Sequence, residues 1–298
     1  MKILITGANG LLGQHLSTRL AALGHNVVAT GKGPSRLPLE EHSGLTYAEM
    51  DFTNDSRVQQ VMSAQKPDVV VHGGAMTQID ECEQNQDACF ETNVQGTAQM
   101  VLAAEEYSSH FIFMSTDFVF DGMEGNYAED DHLNPVSWYG FSKVQAESTV
   151  ETSEIPWTIV RTCLVYGSPL AGTRSNILSW VKESLEQEKP IKVVSDQLRT
   201  PTYVADLVNG LVSIIERKVE GVFHLAGKDR LSPYEMAVAA AQHLKLNEGL
   251  IEKVDASTFT QPAKRPPKTG LNISKAKTML GYEPRTFENN LQQLWKRG

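Results

Sequence analysis

The chain has 298 residues, of which 41% are hydrophobic, and a formal net charge of −9. That length supports a full hydrophobic core in one or two domains. The acidic balance argues against nonspecific binding to nucleic acid or to an anionic membrane, since both need basic surface. The longest apolar runs, such as Val69-Val70-Val71, have the length of a strand and not of a membrane span.

The first element is a strand at 2–6 carrying Ile3-Leu4-Ile5. It runs into Thr6-Gly7-Ala8-Asn9-Gly10-Leu11-Leu12-Gly13 and an amphipathic helix over 11–23 with Leu12, Leu16, Leu20 and Leu23 on one face. A buried strand, a glycine turn and a helix start in that order build a dinucleotide-binding loop. Gly7 permits the tight turn, Gly10 lets a pyrophosphate approach the backbone, and Gly13 lets the helix pack close to the strand. The helix start adds unpaired N–H groups and the positive end of its dipole. The next strand, 26–30, leads into Gly31-Lys32. An NAD-binding fold usually carries Asp or Glu about 20 residues past the glycines, on the ribose 2′-OH. Lys32 stands there instead, with Arg36 close behind, and a cation favours a 2′-phosphate: NADP(H) is expected over NAD(H).

Strands at 45–49, 68–72, 110–115 and 157–161 alternate with helices at 56–65, 87–106 and 135–151. This alternation predicts an α/β fold, a Rossmann-type doubly wound parallel sheet. His72, at the end of an apolar strand, reads as a satisfied structural histidine, with a place in the cofactor cleft as the alternative. Tyr139-Gly140-Phe141-Ser142-Lys143 sets a phenol and an ammonium on one helix face. A nearby cation favours the phenolate, which suits Tyr139 to proton exchange near neutral pH.

After residue 162 the pattern changes. Gly167-Ser168-Pro169-Leu170-Ala171-Gly172 reads as a mobile loop, followed by a helix at 175–187, a strand at 191–194, a helix at 203–216, a strand at 221–225 and a helix at 232–244. The expected organisation is a dinucleotide-binding domain over 1–162, completed by some later segments, and a smaller substrate-binding α/β lobe mainly over 163–298. Lys264-Arg265-Pro266-Pro267-Lys268 is a basic, Pro-stiffened stretch. Cys82, Cys89 and Cys163 lack metal-ligand spacing and read as reduced thiols, with Cys163 buried among apolar neighbours. Met1-Lys2 runs straight into the first strand without room for a signal peptide, so a cytoplasmic protein is expected. No metal site is read.

Taken together, the glycine loop and the Tyr-x-x-x-Lys pair resemble the extended branch of the short-chain dehydrogenases/reductases. The resemblance runs through Ser115-Thr116-Asp117-Phe118-Val119-Phe120-Asp121-Gly122, Val160-Arg161-Thr162 with Val165-Tyr166-Gly167, Asp196-Gln197 with Pro201-Thr202-Tyr203, Arg265-Pro266 with Leu271, and Leu280-Gly281. This set is similar to the dTDP-4-dehydrorhamnose reductase family. The resemblance implies an NAD(P)H-dependent reductase of a nucleotide-linked 4-keto-6-deoxysugar. Two alternatives share the fold: an NADP-binding regulatory subunit like the β subunit of methionine adenosyltransferase, and a nucleotide-sugar epimerase.

By the same resemblance Thr116, Tyr139 and Lys143 are the catalytic residues. Tyr139 would donate a proton to the sugar ketone, Lys143 would bond the nicotinamide ribose and lower the Tyr139 pKa, and Thr116 would bond the reacting oxygen. Asp51, Phe52, Ala75, Asn93 and Ser115 join Gly7, Asn9, Gly10, Leu11, Leu12, Gly13 and Lys32 around the cofactor. Thr77, Asp117, Phe118, Leu164, Arg199 and Arg265 are the implied substrate contacts, with Arg265 near the nucleotide diphosphate. The family usually has Tyr, Trp and Gly where this chain has Phe118, Leu164 and Arg199. Leu164 keeps apolar contact but loses aromatic area, and Arg199 adds a charge able to meet a phosphate or carboxylate. Relatives can use Mg²⁺ at a dimer contact, and a homodimer is a possible assembly, but no matching glutamates are recognised here.

Overall fold

Short apolar runs buried on both faces build the centre of the protein, a computed structural model that describes residues 1–168, 172 and 176–295. The strands in chain order are β1 (Lys2–Thr6), β2 (Asn26–Gly31), β3 (Leu45–Glu49), β4 (Val69–His72), β5 (His110–Thr116), β6 (Trp157–Thr162), β7 (Val165–Tyr166), β8 (Ile191–Val194), β9 (Thr202–Tyr203), β10 (Gly221–His224) and β11 (Ile251–Val254). The helices are α1 (Leu11–Ala22), α2 (Asp55–Gln65), α3 (Ile79–Gln84), α4 (Gln86–Phe90), α5 (Gly96–Glu105), α6 (Trp138–Glu151), α7 (Ile177–Glu186), α8 (Val204–Arg217), α9 (Pro233–Leu244), α10 (Ser274–Leu280) and α11 (Phe287–Leu294).

Seven strands form one parallel sheet in the order β10-β6-β5-β4-β1-β2-β3. Side chains alternate across it as the strand period requires. Ile3, Ile5, Val69, Val71 and Ile112 face one core, with Leu16 and Leu20 of α1 and Leu207, Leu211 and Ile214 of α8. Leu4, Val70, Phe111 and Phe113 face the other, with Val58 and Met62 of α2, Met100 and Ala104 of α5, and Ala146 and Val150 of α6. The doubly wound expectation is thereby met. A third, smaller core gathers Tyr166, Leu178, Val181, Ile191, Met236, Ile251 and Phe287, where the parallel pair β8–β11 meets α7, α9 and α11.

Residues past 162 serve both regions. β10 returns to the main sheet beside β6, while the expected strand at 191–194 pairs with β11 outside it. The helix expected over 87–106 is interrupted: a π-helical segment, Glu91–Gln95, separates α4 from α5. Its cause is Asn93, whose amide turns inward and clamps the chain after β4. Its Oδ1 accepts from Met76 N at 2.7 Å, and its Nδ2 donates to Met76 O at 3.0 Å. The helix expected from 135 begins at Trp138, because the Ser137 hydroxyl caps it by accepting from Gly140 N. β7, β9, β11, α3, α10 and α11 are too short to show a period in the sequence. Of the expected 167–172 loop, Pro169, Leu170 and Ala171 lie outside the described residues, as does Ser175, where the helix at 175–187 is expected to start.

Gly13 packs its Cα face against the backbone of Gly7 and Ala8, where a Cβ would overlap. Gly13→Ala is therefore expected to destabilise the protein by about 1–3 kcal/mol, the usual penalty for overpacking a tight contact. A thermal melt should show a clear drop in Tm, and an unchanged Tm would mean α1 shifts freely on β1.

Candidate active site

The strand order reverses between β1 and β4, and the chain leaves both strands at the same end of the sheet. Open α/β sheets bind ligands in the crevice at such a point. Here the crevice is a cleft of about 1170 Å³. That exceeds the roughly 300–1,000 Å³ typical of a pocket for one small ligand. Gly7, Asn9, Gly10, Leu11, Leu12 and Gly13 line its floor. Gly7 has φ +69°, and a Cβ there would lie 2.9 Å from the backbone of Gly73 and Gly74, which follow β4. No side chain caps α1 at Gly10, so its first N–H groups are left for an anion. This bare, glycine-walled helix start fits the pyrophosphate of a dinucleotide.

Asn9 organises the adjoining rim. Its Nδ2 donates to Pro34 O and Tyr47 Oη, both at 3.1 Å, and its Oδ1 accepts from Arg36 N at 3.0 Å. The turn after β2 thus presents Lys32 and Arg36 to the cleft. Lys32 Nζ lies 2.9 Å from Asp51 Oδ2. Partial burial raises the Asp51 pKa, but bonds from Lys32 and Thr53 outweigh it and hold the carboxyl below its usual range. Asp51 supports the rim from behind and does not line the cleft, whereas Phe52 and Ala75 do. Asn93 does not line it either, being committed to Met76. His72 is buried between the Thr6 hydroxyl, 2.8 Å from Nδ1, and the Thr97 hydroxyl, 3.2 Å from Nε2, as a structural histidine should be.

The other end of the cleft is made by the close of β5 and the first turns of α6. They approach closely because Gly140 has no Cβ; one would lie 3.1 Å from Phe118 C and 2.9 Å from Pro135 Cβ. This brings together Thr116, Tyr139 and Lys143, all on the cleft wall with Ser115. Burial pushes the Tyr139 pKa up, the neighbouring Thr116 hydroxyl opposes this, and the Asp117 charge adds to it. Burial outweighs the lowering expected from Lys143. Its ammonium donates to Met114 O at 2.7 Å and sits 3.9 Å from the centre of the Phe113 ring. Burial lowers the Lys143 pKa to about 7, against the opposing charges of Glu147 and Cys89. Tyr139 thus carries its proton at neutral pH. Ser115 lines the wall, but its hydroxyl is spent on Glu147.

Asp117 lies deeper than a simple substrate contact. It is 2% exposed. One oxygen accepts from the Thr116 hydroxyl at 3.2 Å; the other accepts from the Cys163 thiol at 3.1 Å and from the Thr269 hydroxyl. It ties β5 to the segment after β6 and to the C-terminal part of the chain. Burial and the Asp117 charge raise the Cys163 pKa, so this thiol keeps its proton as a donor to Asp117. Next to it, Leu164 projects into the cleft from backbone at φ +40°, a strained conformation for leucine.

Arg199 is 5% exposed and lies over the Phe118 ring at 5.6 Å. It donates to Leu198 O, Pro267 O and Gln197 Oε1, and among the described residues it has no carboxylate partner. Arg265 is already engaged bidentately by Asp80, at 2.6 and 3.1 Å, although it also lines the cleft. Thr77 is exposed on the wall. Sequence reasoning missed Gly73-Gly74, Ile79 and Pro233 on the wall, and the Glu147–Arg161 ion pair beneath Lys143. The glycine pair after the Val69–Val71 run was a readable signal for a close backbone approach. The ion pair was not, because its partners come from different elements.

Comparisons with known proteins follow the fold along the whole chain. The dTDP-4-dehydrorhamnose reductase of Aggregatibacter actinomycetemcomitans is 28% identical over 305 residues, covering 98% of each chain. A crystal structure of a dTDP-4-dehydrorhamnose reductase from Clostridium acetobutylicum superposes with a TM-score of 0.87 at 29% identity, covering 99% of this chain and 98% of that one. Another from Bacillus anthracis, in complex with NADP, does so with a TM-score of 0.85 at 26% identity, covering 98% of each. The family model described as the RmlD substrate binding domain matches residues 1–298. With the parallel sheet, the glycine cleft and the Thr116–Tyr139–Lys143 corner in place, the whole chain belongs to the RmlD substrate-binding-domain family.

Proposed function

We propose that this protein is an NADPH-dependent reductase of a nucleotide-linked 4-keto-6-deoxysugar, of the dTDP-4-dehydrorhamnose reductase type. The observation that carries the reading is the meeting of Thr116, Tyr139 and Lys143 at the far end of a glycine-floored cleft. A nicotinamide cofactor held along this cleft would supply the hydride for the ketone carbon. Tyr139, held protonated by burial, gives its proton to the ketone oxygen. The Thr116 hydroxyl bonds that oxygen as charge develops on it, and an oriented donor stabilises it there. Lys143 bonds the nicotinamide ribose and orients it. Arg199, a buried cation without a carboxylate, suits the substrate diphosphate, and Arg265 joins it if the diphosphate replaces Asp80. Leu164 packs on the sugar. The lobe built mainly from 163–298 holds the nucleotide-sugar.

Lys32 and Arg36 support a 2′-phosphate and hence NADPH. The reductase names of the relatives reported above favour this reading over the regulatory subunit. Against the epimerase stands the cation-flanked 2′-phosphate site at Lys32 and Arg36, which suits net reduction by NADPH. The test is NADPH oxidation against a panel of nucleotide 4-ketosugars; activity on none of them, from folded protein that binds NADPH, would overturn the reductase reading.

Three substitutions sharpen it. Tyr139→Phe should lower turnover roughly 10²–10⁴-fold, the range of a positioned general acid, while NADPH titrations stay near wild type; wild-type turnover would remove Tyr139 from the mechanism. Lys32→Asp should weaken NADPH binding by about 1–3 kcal/mol, the scale of a charge-assisted hydrogen bond, and NADH binding much less. An unchanged ratio of the two affinities would make Lys32 a partner of Asp51 alone. Asp117→Ala strands the Cys163 and Thr269 donors and frees Thr116. It should cost about 1–3 kcal/mol of stability and reduce kcat as well, read by thermal melts and kinetics on one preparation.

A further inference from the structure

Lys143 carries its ammonium where water does not reach: the residue is 2% exposed, and its acceptor is the uncharged Met114 carbonyl. A carbonyl orients the ammonium without neutralising it. The nearest carboxylate on its own helix is Glu147, one turn along α6 on the same face and 1% exposed. Glu147 is fixed from two other elements. Arg161 of β6 grips both oxygens, with Nη2 2.8 Å from Oε2 and Nε 3.1 Å from Oε1. The Ser115 hydroxyl, at the end of β5 and next to Thr116, donates to Oε1. Arg161 is braced in turn by Glu129 O at 3.0 Å and by the Phe120 ring at 5.3 Å. A buried ion pair is weak as a device for stability, because apolar residues of similar volume often serve as well or better. Its place under Lys143 calls for another account.

We propose that Glu147 is a positioning residue for the reduction: its carboxylate, locked by Arg161 and Ser115, keeps Lys143 cationic against the cofactor ribose. The inference rests on the reading of Lys143 as the ribose-binding cation. The groups that face Lys143 are Glu147 and Tyr139 on its own helix, Cys89 of α4 and His72 of β4. Burial, with Lys143 adding to it, lowers the His72 pKa to about 3, so it stays neutral. The Cys82 thiol, with help from Ser142, Lys143 and Asn93, lowers that of Cys89 against its burial. Glu147 is faced by Arg161 and Glu151, with His224 and Glu129 beyond Arg161. Burial, with Arg161 adding to it, also keeps His224 neutral, its pKa lowered to about 3.

The sign follows from these charges. Burial already depresses the Lys143 pKa, and loss of the Glu147 charge would depress it further. The ammonium, and the cofactor grip it provides, would then be lost at lower pH. The experiment compares NADPH affinity by fluorescence titration from pH 6 to pH 9, with a melt at each pH. The proteins are wild type, Lys143→Met, Glu147→Gln, Glu147→Asp, and the apolar pair Glu147→Met with Arg161→Met. The pair removes both buried charges together and should remain folded.

Between pH 6 and pH 8 the pair and Glu147→Gln should lose about fivefold more affinity than wild type, the consequence of a roughly tenfold larger acid dissociation constant at Lys143. Their Tm should not follow that pH dependence, and Glu147→Asp, which keeps the charge, should restore the wild-type profile. Should Glu147→Gln fail to fold, the apolar pair decides. A wild-type pH profile in the pair, or a loss equal at every pH, overturns the role of Glu147 while leaving Lys143 in place, provided that Lys143→Met weakens NADPH. If Lys143→Met binds NADPH and turns over like wild type, the catalytic reading fails, and this inference with it.

Discussion

The close backbone approach at the centre of the sheet governs everything that follows. Gly7 turns the chain out of β1 against Gly73 and Gly74, which leave β4, and Gly13 seats α1 on Gly7 and Ala8. A side chain at these positions would wedge the two strand ends apart. It would also fill the space above the free N–H groups of α1. The reversal of strand order makes a crevice at this point, and the glycines keep it open and lined by backbone donors.

The chemistry sits where a second close approach occurs. Gly140 lets α6 lie on the turn after β5, so a phenol and an ammonium on one helix face a hydroxyl on a strand end. The electrostatics there are set by burial more than by pairing. Tyr139 is held protonated and Lys143 is drawn towards neutrality, with Glu147 opposing that trend. The expectation that Lys143 acidifies Tyr139 treats the two as an exposed helix pair. In the folded protein the ammonium is turned to Met114 O and the Phe113 ring.

The substrate end is assembled from distant parts of the chain. Asp117 links β5 with Cys163 and Thr269, and Asp80 of α3 holds Arg265 across the cleft rim. Among the described residues, Arg199 is buried on this wall with only uncharged oxygens as its acceptors, which suits it to an anionic group. These contacts couple the shape of the substrate region to the C-terminal third of the chain. A substitution far from Tyr139 in sequence can therefore reach it through Thr269, Asp117 and Thr116.

Much was determined by the sequence alone. Apolar strands at 2–6, 26–30, 45–49, 68–72, 110–115 and 157–161, the glycine loop, and the spacing of Tyr139 from Lys143 are local patterns, because strand and helix periods and turn geometry are properties of neighbouring residues. They suffice for the parallel sheet and for the glycine loop and Tyr139–Lys143 corner of the cleft. Only the tertiary structure decided what lies between elements. It paired Arg265 with Asp80, Lys32 with Asp51 and Glu147 with Arg161, committed Asn93 to Met76 within a π-helical turn, and took both oxygens of Asp117. Those outcomes depend on which groups meet across the fold and how far water is excluded from them. Hydrogen bonds and pKa values follow that meeting, and no spacing along the chain encodes it.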